Sequence, residues 1–279
     1  MAHDVVVLAL HGMGDHDRTF DVALKDELAG RLDSSDWARV YYDQIFYQDV
    51  LQPNQRACWT RMKTRDVDWT TLRKFLLFGF SDAAGLERRA NVTGSPYDQA
   101  QQRVLDALDR AYNFIGAAKP VVLIAHSLGG QVLSNYIWDA QRPNPRQGVW
   151  KGGGPPSSDP ALTRFRRLKT LKFFYSTGCN IPIFVAGLPR NKIKAVKTSG
   201  AGYNFQWKNY YDADDVLGWP LKPLSTSYRG ALTVDKQVNA GGGVLGTLAK
   251  SWNPFSHGQY WTDGDVLRPL VRDIRSLLP

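Results

Sequence analysis

Cysteine is scarce in this chain: of 279 residues only Cys58 and Cys179 carry a thiol. Two cysteines cannot build a disulfide framework, and neither stands in a CxxC or metal-ligand spacing. A reducing compartment is the simplest expectation, although a single disulfide stays open. Long apolar runs are also missing. Val5 to Leu10 is too short for a signal core or a membrane span, and Met1-Ala2-His3-Asp4 has no basic leader. The sequence therefore reads as cytoplasmic. Charged residues make up 22% and hydrophobic residues 43%, which excludes wholesale disorder and supports one large core. Zinc-finger, homeodomain and aromatic RNA-binding patterns are absent, so no nucleic-acid partner is expected, and there is no internal repeat. The formal charge of +9 still favours acidic partners or anionic surfaces, although the basic residues are dispersed.

What is present is an alternation of apolar runs and helical periodicities. Val5-Val6-Val7-Leu8-Ala9-Leu10 and Val121-Val122-Leu123-Ile124-Ala125 are apolar without interruption, as strands are at the centre of a parallel sheet. Further strands are expected over Val40-Tyr41-Tyr42, Leu168 to Ser176 and Asn204 to Tyr211. Helices are expected over Phe20 to Leu32, Tyr97 to Ala117, Gln131 to Ala140 and Asp263 to Leu278. The segment 143–160 is rich in proline and glycine and reads as a surface loop. Ile181 to Val185 is too short to assign. The pattern predicts an α/β class with a doubly wound, mostly parallel sheet in a single domain spanning 1–279. Residues 49–96 exceed an ordinary crossover and read as an inserted, mostly helical cap.

The sharpest local signal is Ala125-His126-Ser127-Leu128-Gly129, between an apolar strand and a helix. It is a nucleophile elbow with Ala125 at the first small position. A serine on so tight a turn is strained and projects its Oγ away from the sheet. The residues two before and two after it must be small so that strand and helix can approach. Leu128 opens the helix, so its backbone N–H can face an oxyanion with help from the helix dipole.

These residues, with His11-Gly12-Met13-Gly14 after the first strand and Ser256-His257-Gly258-Gln259-Tyr260-Trp261 near the end, resemble the α/β-hydrolase superfamily in its lipase and esterase branch. The resemblance spans nearly the whole chain. It implies acyl-ester hydrolysis through an acyl-enzyme, with Ser127 as nucleophile and no cofactor or metal. It makes His11-Gly12-Met13-Gly14 the oxyanion loop, with Met13 N–H as a second donor beside Leu128 N–H. In that fold the acid and then the histidine follow the serine. Of the five histidines only His257 lies beyond the elbow helix, so it is the expected general base. No glutamate follows Ser127, so the acid is an aspartate. Asp212, Asp214 and Asp215 share the turn after a penultimate strand. Asp215-Val216-Leu217 resembles the acid turn of lipases, whereas a shorter pattern selects Asp214; the choice stays open between them, with Asp212 behind.

The cluster Phe75-Leu76-Leu77-Phe78 beside Arg73 and Lys74 suits an apolar, basic-rimmed lid over a small-molecule ester or lipid substrate, with peripheral membrane contact through 49–96. Packing of the same aromatics against the core is the competing expectation. Two other functions stay open: acyl transfer by the same residues, and a non-catalytic lipid- or polyanion-binding protein on this fold. The oligomeric state is not legible.

Overall fold

Val5–Leu10 forms strand β1, and all six of its residues are fully buried. It pairs in parallel with β2 (Val40–Ile45) on one side and β3 (Val121–His126) on the other. The ladder continues through β4 (Leu171–Thr177), β5 (Gln206–Asp212) and β6 (Leu232–Val238), always parallel. The sheet order is thus β2-β1-β3-β4-β5-β6. The computed structural model describes residues 3–65, 67–86, 94–145, 147–239 and 259–279.

Alternation along each strand divides the core in two. Val6, Leu8 and Leu10 pack with helices α4 (Pro96–Ile115) and α5 (Leu128–Ala140). Val5, Val7 and Ala9 point the other way, into a cluster with α1 (Val22–Arg31) and α6 (Gly264–Arg275). Apolar side chains buried in this way contribute roughly 1.5–3 kcal/mol each, an upper estimate. The helices take over where their signals allow. Ser95 accepts from Asp98 N–H to start α4, which ends at Gly116 with φ 75°. Asp263 caps α6 in the same way through Asp265 N–H. Lys208 of β5 and Asp273 of α6 form a buried ion pair between sheet and helix.

The fold is a doubly wound, parallel α/β arrangement, with two further helices between β2 and α4. The insertion carries α2 (Gln52–Met62) and α3 (Thr70–Gly85), which pack on each other. Of the Phe75–Phe78 cluster only Phe78 is buried, and Leu76 is exposed. Three expectations shift. β4 begins at Leu171 rather than Leu168, because Leu168 takes a left-handed φ of 55° that no strand accommodates. The proline-rich loop ends in a helix, Pro160–Arg166, whose proline sits at the permitted first turn behind the Asp159 cap. Ile181–Val185 is a short helix.

Register fixes where function can sit. Leu10 lies opposite Ala125, Ala125 opposite Ser176, and Ser176 opposite Asn209. The carboxyl ends of β1, β3, β4 and β5 therefore share one edge of the sheet. The loops at 11–16, 127, 178 and 213–218 all leave from that edge, where ligands of open α/β sheets bind.

Candidate active site

Ser127 stands between β3 and α5 with φ 51° and ψ −123°, a conformation that costs a non-glycine residue about 1–3 kcal/mol. Its surroundings hold it there. Its N–H donates to Thr177 O (2.8 Å), and Gly130 N–H donates to Ser127 O (3.0 Å). A Cβ on Gly129 would lie 2.4 Å from His11 O and 3.0 Å from Leu10 O, backbone atoms that cannot yield. The second small position of the elbow is thus confined to glycine. Ser127 Oγ is buried and has no hydrogen-bond partner among the described residues. A buried hydroxyl without a partner is costly in a purely structural role.

The loop after β1 lies directly against this serine: a Cβ on Gly12 would stand 2.7 Å from Ser127 Cβ. Gly12 O is gripped from behind by Tyr47 Oη (2.9 Å) and more loosely by Gln48 Nε2 (3.4 Å). His11 Nδ1 also donates to it (2.8 Å). Because a carbonyl only accepts, the His11 proton sits on Nδ1, leaving Nε2 to accept Tyr47 N–H (3.3 Å). The His11 ring stacks on Tyr47 at 4.3 Å, and burial keeps its pKa well below the usual histidine value. In a planar trans peptide the C=O and N–H point oppositely. Fixing the Gly12 carbonyl towards Tyr47 therefore turns Met13 N–H away from Tyr47. Leu128, first residue of α5, is fully buried, and its N–H belongs to the turn that lacks partners inside a helix.

The three aspartates after β5 differ sharply in surroundings. Asp214 is exposed, and its N–H donates to Asp212 Oδ1 (2.9 Å). Asp212 is buried, but that oxygen closes its own turn. Asp215 is buried at 5% exposure. Its Oδ1 accepts Leu217 N–H (2.9 Å) and its Oδ2 accepts Tyr260 Oη–H (2.7 Å). A Cβ on Gly178 would meet Tyr260 (2.9 Å), Asp215 Oδ2 (3.1 Å) and the His126 ring (3.2 Å). The Asp215 carboxylate thus lies over the ends of β3 and β4, beside the elbow. Below it, Asp235 of β6 accepts from Lys222 N–H (2.8 Å), Leu221 N–H (3.0 Å) and Asn209 Nδ2 (2.8 Å), anchoring the far end of the turn.

Ser127, Leu128, the Gly12–Met13 peptide and Asp215 therefore gather at one sheet edge, while Asp214 faces solvent. His257 lies outside the described residues. Tyr260, three residues later, is fully buried, and its oxygen also accepts Asp212 N–H (2.8 Å). Burial, and then the Asp215 charge, push its phenol pKa far up, so it stays a donor. The sequence assigns Tyr260 no role, since a buried tyrosine leaves no signature of what its hydroxyl meets. Asp82 is a lone carboxylate in the stretch Phe78-Gly79-Phe80-Ser81-Asp82-Ala83-Ala84, and that isolation is its one mark in the sequence. Among the described residues no group of three or more His, Cys, Asp or Glu is arranged to hold a metal ion. No described helix is long and apolar enough to cross a membrane.

No protein-family model matches this chain, and no curated protein matches it. Solved structures to which it is similar include a candidate carboxylesterase from Lactobacillus plantarum, at 13% identity and a TM-score of 0.48, covering 99% of this chain and 87% of the other. A lipase/esterase from Lactobacillus plantarum gives 13% identity and a TM-score of 0.47 over 100% and 88% of the two chains. A candidate YdeN-like hydrolase from Pectobacterium atrosepticum gives 12% identity and a TM-score of 0.41 over 99% and 94%.

Proposed function

We propose that the chain is a serine hydrolase that cleaves carboxylic esters through an acyl-enzyme. The observation that carries this reading is the strained, buried Ser127, whose Oγ has no partner among the described residues, packed against the Gly12–Met13 peptide. In the proposed reaction His257 takes the Ser127 Oγ proton as Oγ bonds to the ester carbonyl carbon. The carbonyl π electrons move to oxygen, and the N–H groups of Leu128 and Met13 receive that oxyanion. The intermediate collapses, the C–O bond to the alcohol breaks, and His257 returns its proton to the leaving oxygen. Water then repeats the sequence on the acyl-enzyme and releases the acid. Asp215 is the carboxylate for the second nitrogen of His257, since it is buried and held by Leu217 N–H and Tyr260, whereas Asp214 is exposed.

The substrate we propose is an amphiphilic ester with an apolar chain and an anionic part. A cavity of about 570 Å³ opens between α2 and α3, walled by Trp59, Met62, Leu76 and Leu77 and edged by Arg61, Arg65 and Arg73. Gly79 of α3 packs on Met13, as a Cβ there would lie 2.9 Å from Met13 Sδ. Leu76 is three residues along the same helix, roughly 4.5 Å by helical rise. One turn of α3 thus carries both a wall of the cavity, at Leu76, and the contact with Met13, at Gly79. The two parts of the reading are tested separately. A fluorophosphonate should label the purified protein and fail on Ser127→Ala; equal labelling of both would remove the serine-hydrolase assignment. Among hydrolysed esters, turnover should rise with chain length and with an anionic headgroup. A preference for short neutral esters would remove the amphiphile.

A further inference from the structure

Asp82 is a fully buried carboxylate in the last turn of α3, and among the described residues its hydrogen-bond donors are amide N–H groups. Burying a carboxylate is expensive unless hydrogen bonds replace its water. Three N–H groups do so. Gln55 Nε2 of α2 donates to Oδ1 (2.6 Å), and Gln48 Nε2 donates to Oδ2 (3.0 Å). The third is Gly14 N–H, which donates to Oδ2 (2.9 Å) from the loop that lies on Ser127. Gly14 has φ 109°, a left-handed conformation, so the loop turns at the residue the carboxylate holds. Burial raises the Asp82 pKa while these N–H groups oppose the rise.

The same two helices grip the rest of the loop. Gln52 Nε2 donates to Gly14 O (3.2 Å) and to His16 O (3.0 Å). Arg56 of α2 and Lys74 of α3 both pair with Asp15, at 2.7 Å each. Those two pairs are partly exposed and so contribute little on their own. Asp82 is the buried member of the clamp. Gly12 O and Gly14 N–H bracket Met13, so the two peptides flanking it are fixed from the insertion side.

We infer that Asp82 is a positioning residue for the oxyanion loop: by holding Gly14 N–H it keeps Met13 N–H turned towards the reacting carbonyl, so the helical insertion is a working part of the catalytic centre and not only a cover over it. The inference rests on the serine-hydrolase reading above. It assigns Asp82 no contact with substrate. Its effect is confined to the stage at which the oxyanion exists.

The test is Asp82→Asn, which keeps the side-chain size but sets an NH₂ group among N–H donors. A second variant, Gln55→Met, loosens Asp82 without removing it. We expect kcat to fall about 10- to 100-fold for Asp82→Asn, less than the 10²–10³ of deleting an oxyanion donor, with KM changed less than twofold. The Ki of a trifluoromethyl ketone, which forms a tetrahedral oxyanion on the serine, should rise by the same factor. Gln55→Met should move both quantities in the same direction by about threefold to tenfold. Hydrogen exchange at the Gly14 amide should quicken in both variants, a readout independent of turnover. If wild-type protein is not labelled by a fluorophosphonate, the serine-hydrolase reading falls and this inference falls with it. If wild type is labelled but both variants keep kcat and ketone affinity within twofold, only the inference falls. A loss in KM and thermal stability with unchanged ketone affinity also overturns it, since that is a merely structural role. Should Asp82→Asn fail to fold, Gln55→Met decides by the same criteria.

Discussion

Gly12 and Ser127 are in contact through a space that holds no side chain: a Cβ on Gly12 would come within 2.7 Å of Ser127 Cβ. Two elements distant in sequence, the loop after β1 and the elbow after β3, are brought together by the pairing of Leu10 with Ala125. A methyl group at Gly12 would push the loop away from Ser127. For Gly12→Ala we predict a fall in kcat/KM of about 100-fold or more, comparable to losing an oxyanion donor, with a stability loss of roughly 1–3 kcal/mol. Steady-state kinetics on a chromogenic ester, with a urea melt alongside, measure both. Activity within threefold of wild type would mean that the loop does not serve the reaction.

Gly129 differs, because its obstacle is backbone. A Cβ there would overlap His11 O at 2.4 Å; β1 cannot shift without disturbing the core on both faces, nor α5 without disturbing the face it covers. Gly129→Ala should therefore lose more stability than Gly12→Ala, roughly 3 kcal/mol or more, and should express poorly. Equal urea midpoints for the two variants would contradict the ranking.

The acid turn offers a direct comparison. Asp215→Asn leaves the shape of the side chain but removes the charge facing the proposed base, and a loss of about 10⁴ in kcat is expected. Asp214→Asn, on an exposed residue, should stay within about threefold. Tyr260→Phe removes one hydroxyl that serves both Asp212 N–H and Asp215 Oδ2. It should lower kcat about tenfold and stability by about 1–3 kcal/mol, because two buried groups lose their partner. A reversed order, with Asp214→Asn the most damaging, would move the acid to Asp214.

These predictions draw unequally on what the sequence carries. β1 and β3 are legible because they are buried on both faces, which leaves uninterrupted apolar runs. β6 is not, because it is the edge strand: Thr233, Lys236 and Gln237 face solvent, and only Leu232 and Val238 are buried at its ends. The elbow is legible because its geometry restricts residue types at fixed spacing. The three aspartates share one turn and one chemistry, and what separates them is burial and the reach of Tyr260 from 45 residues away. Asp82 is less legible still, since its meaning lies in Gly14, Gln48 and Gln55, which come from three different elements. Spacing rules speak of neighbours along the chain, and such a site is assembled across it.

His11 leads to a prediction about pH. Its ring is buried, donates from Nδ1 to Gly12 O, and accepts Tyr47 N–H at Nε2. Protonating Nε2 would set one N–H against another in a buried site, and burial holds the folded pKa well below 6.5. In the unfolded chain the imidazole titrates near its ordinary value of about 6.5. As pH falls below that value the unfolded state binds a proton that the folded state refuses. Stability is therefore present above about pH 6.5 and is lost as pH falls, by up to about 1.4 kcal/mol per pH unit for this group. His11→Asn keeps an N–H for the Gly12 carbonyl and cannot titrate. Its unfolding free energy in urea, lower than wild type at pH 7.5, should fall less steeply between pH 6.5 and 5. Parallel slopes for the two proteins would mean that His11 accepts its proton in the folded state. In that case the bond from Tyr47 N–H to Nε2 would itself depend on pH, while Nδ1–H would go on holding Gly12 O in both protonation states.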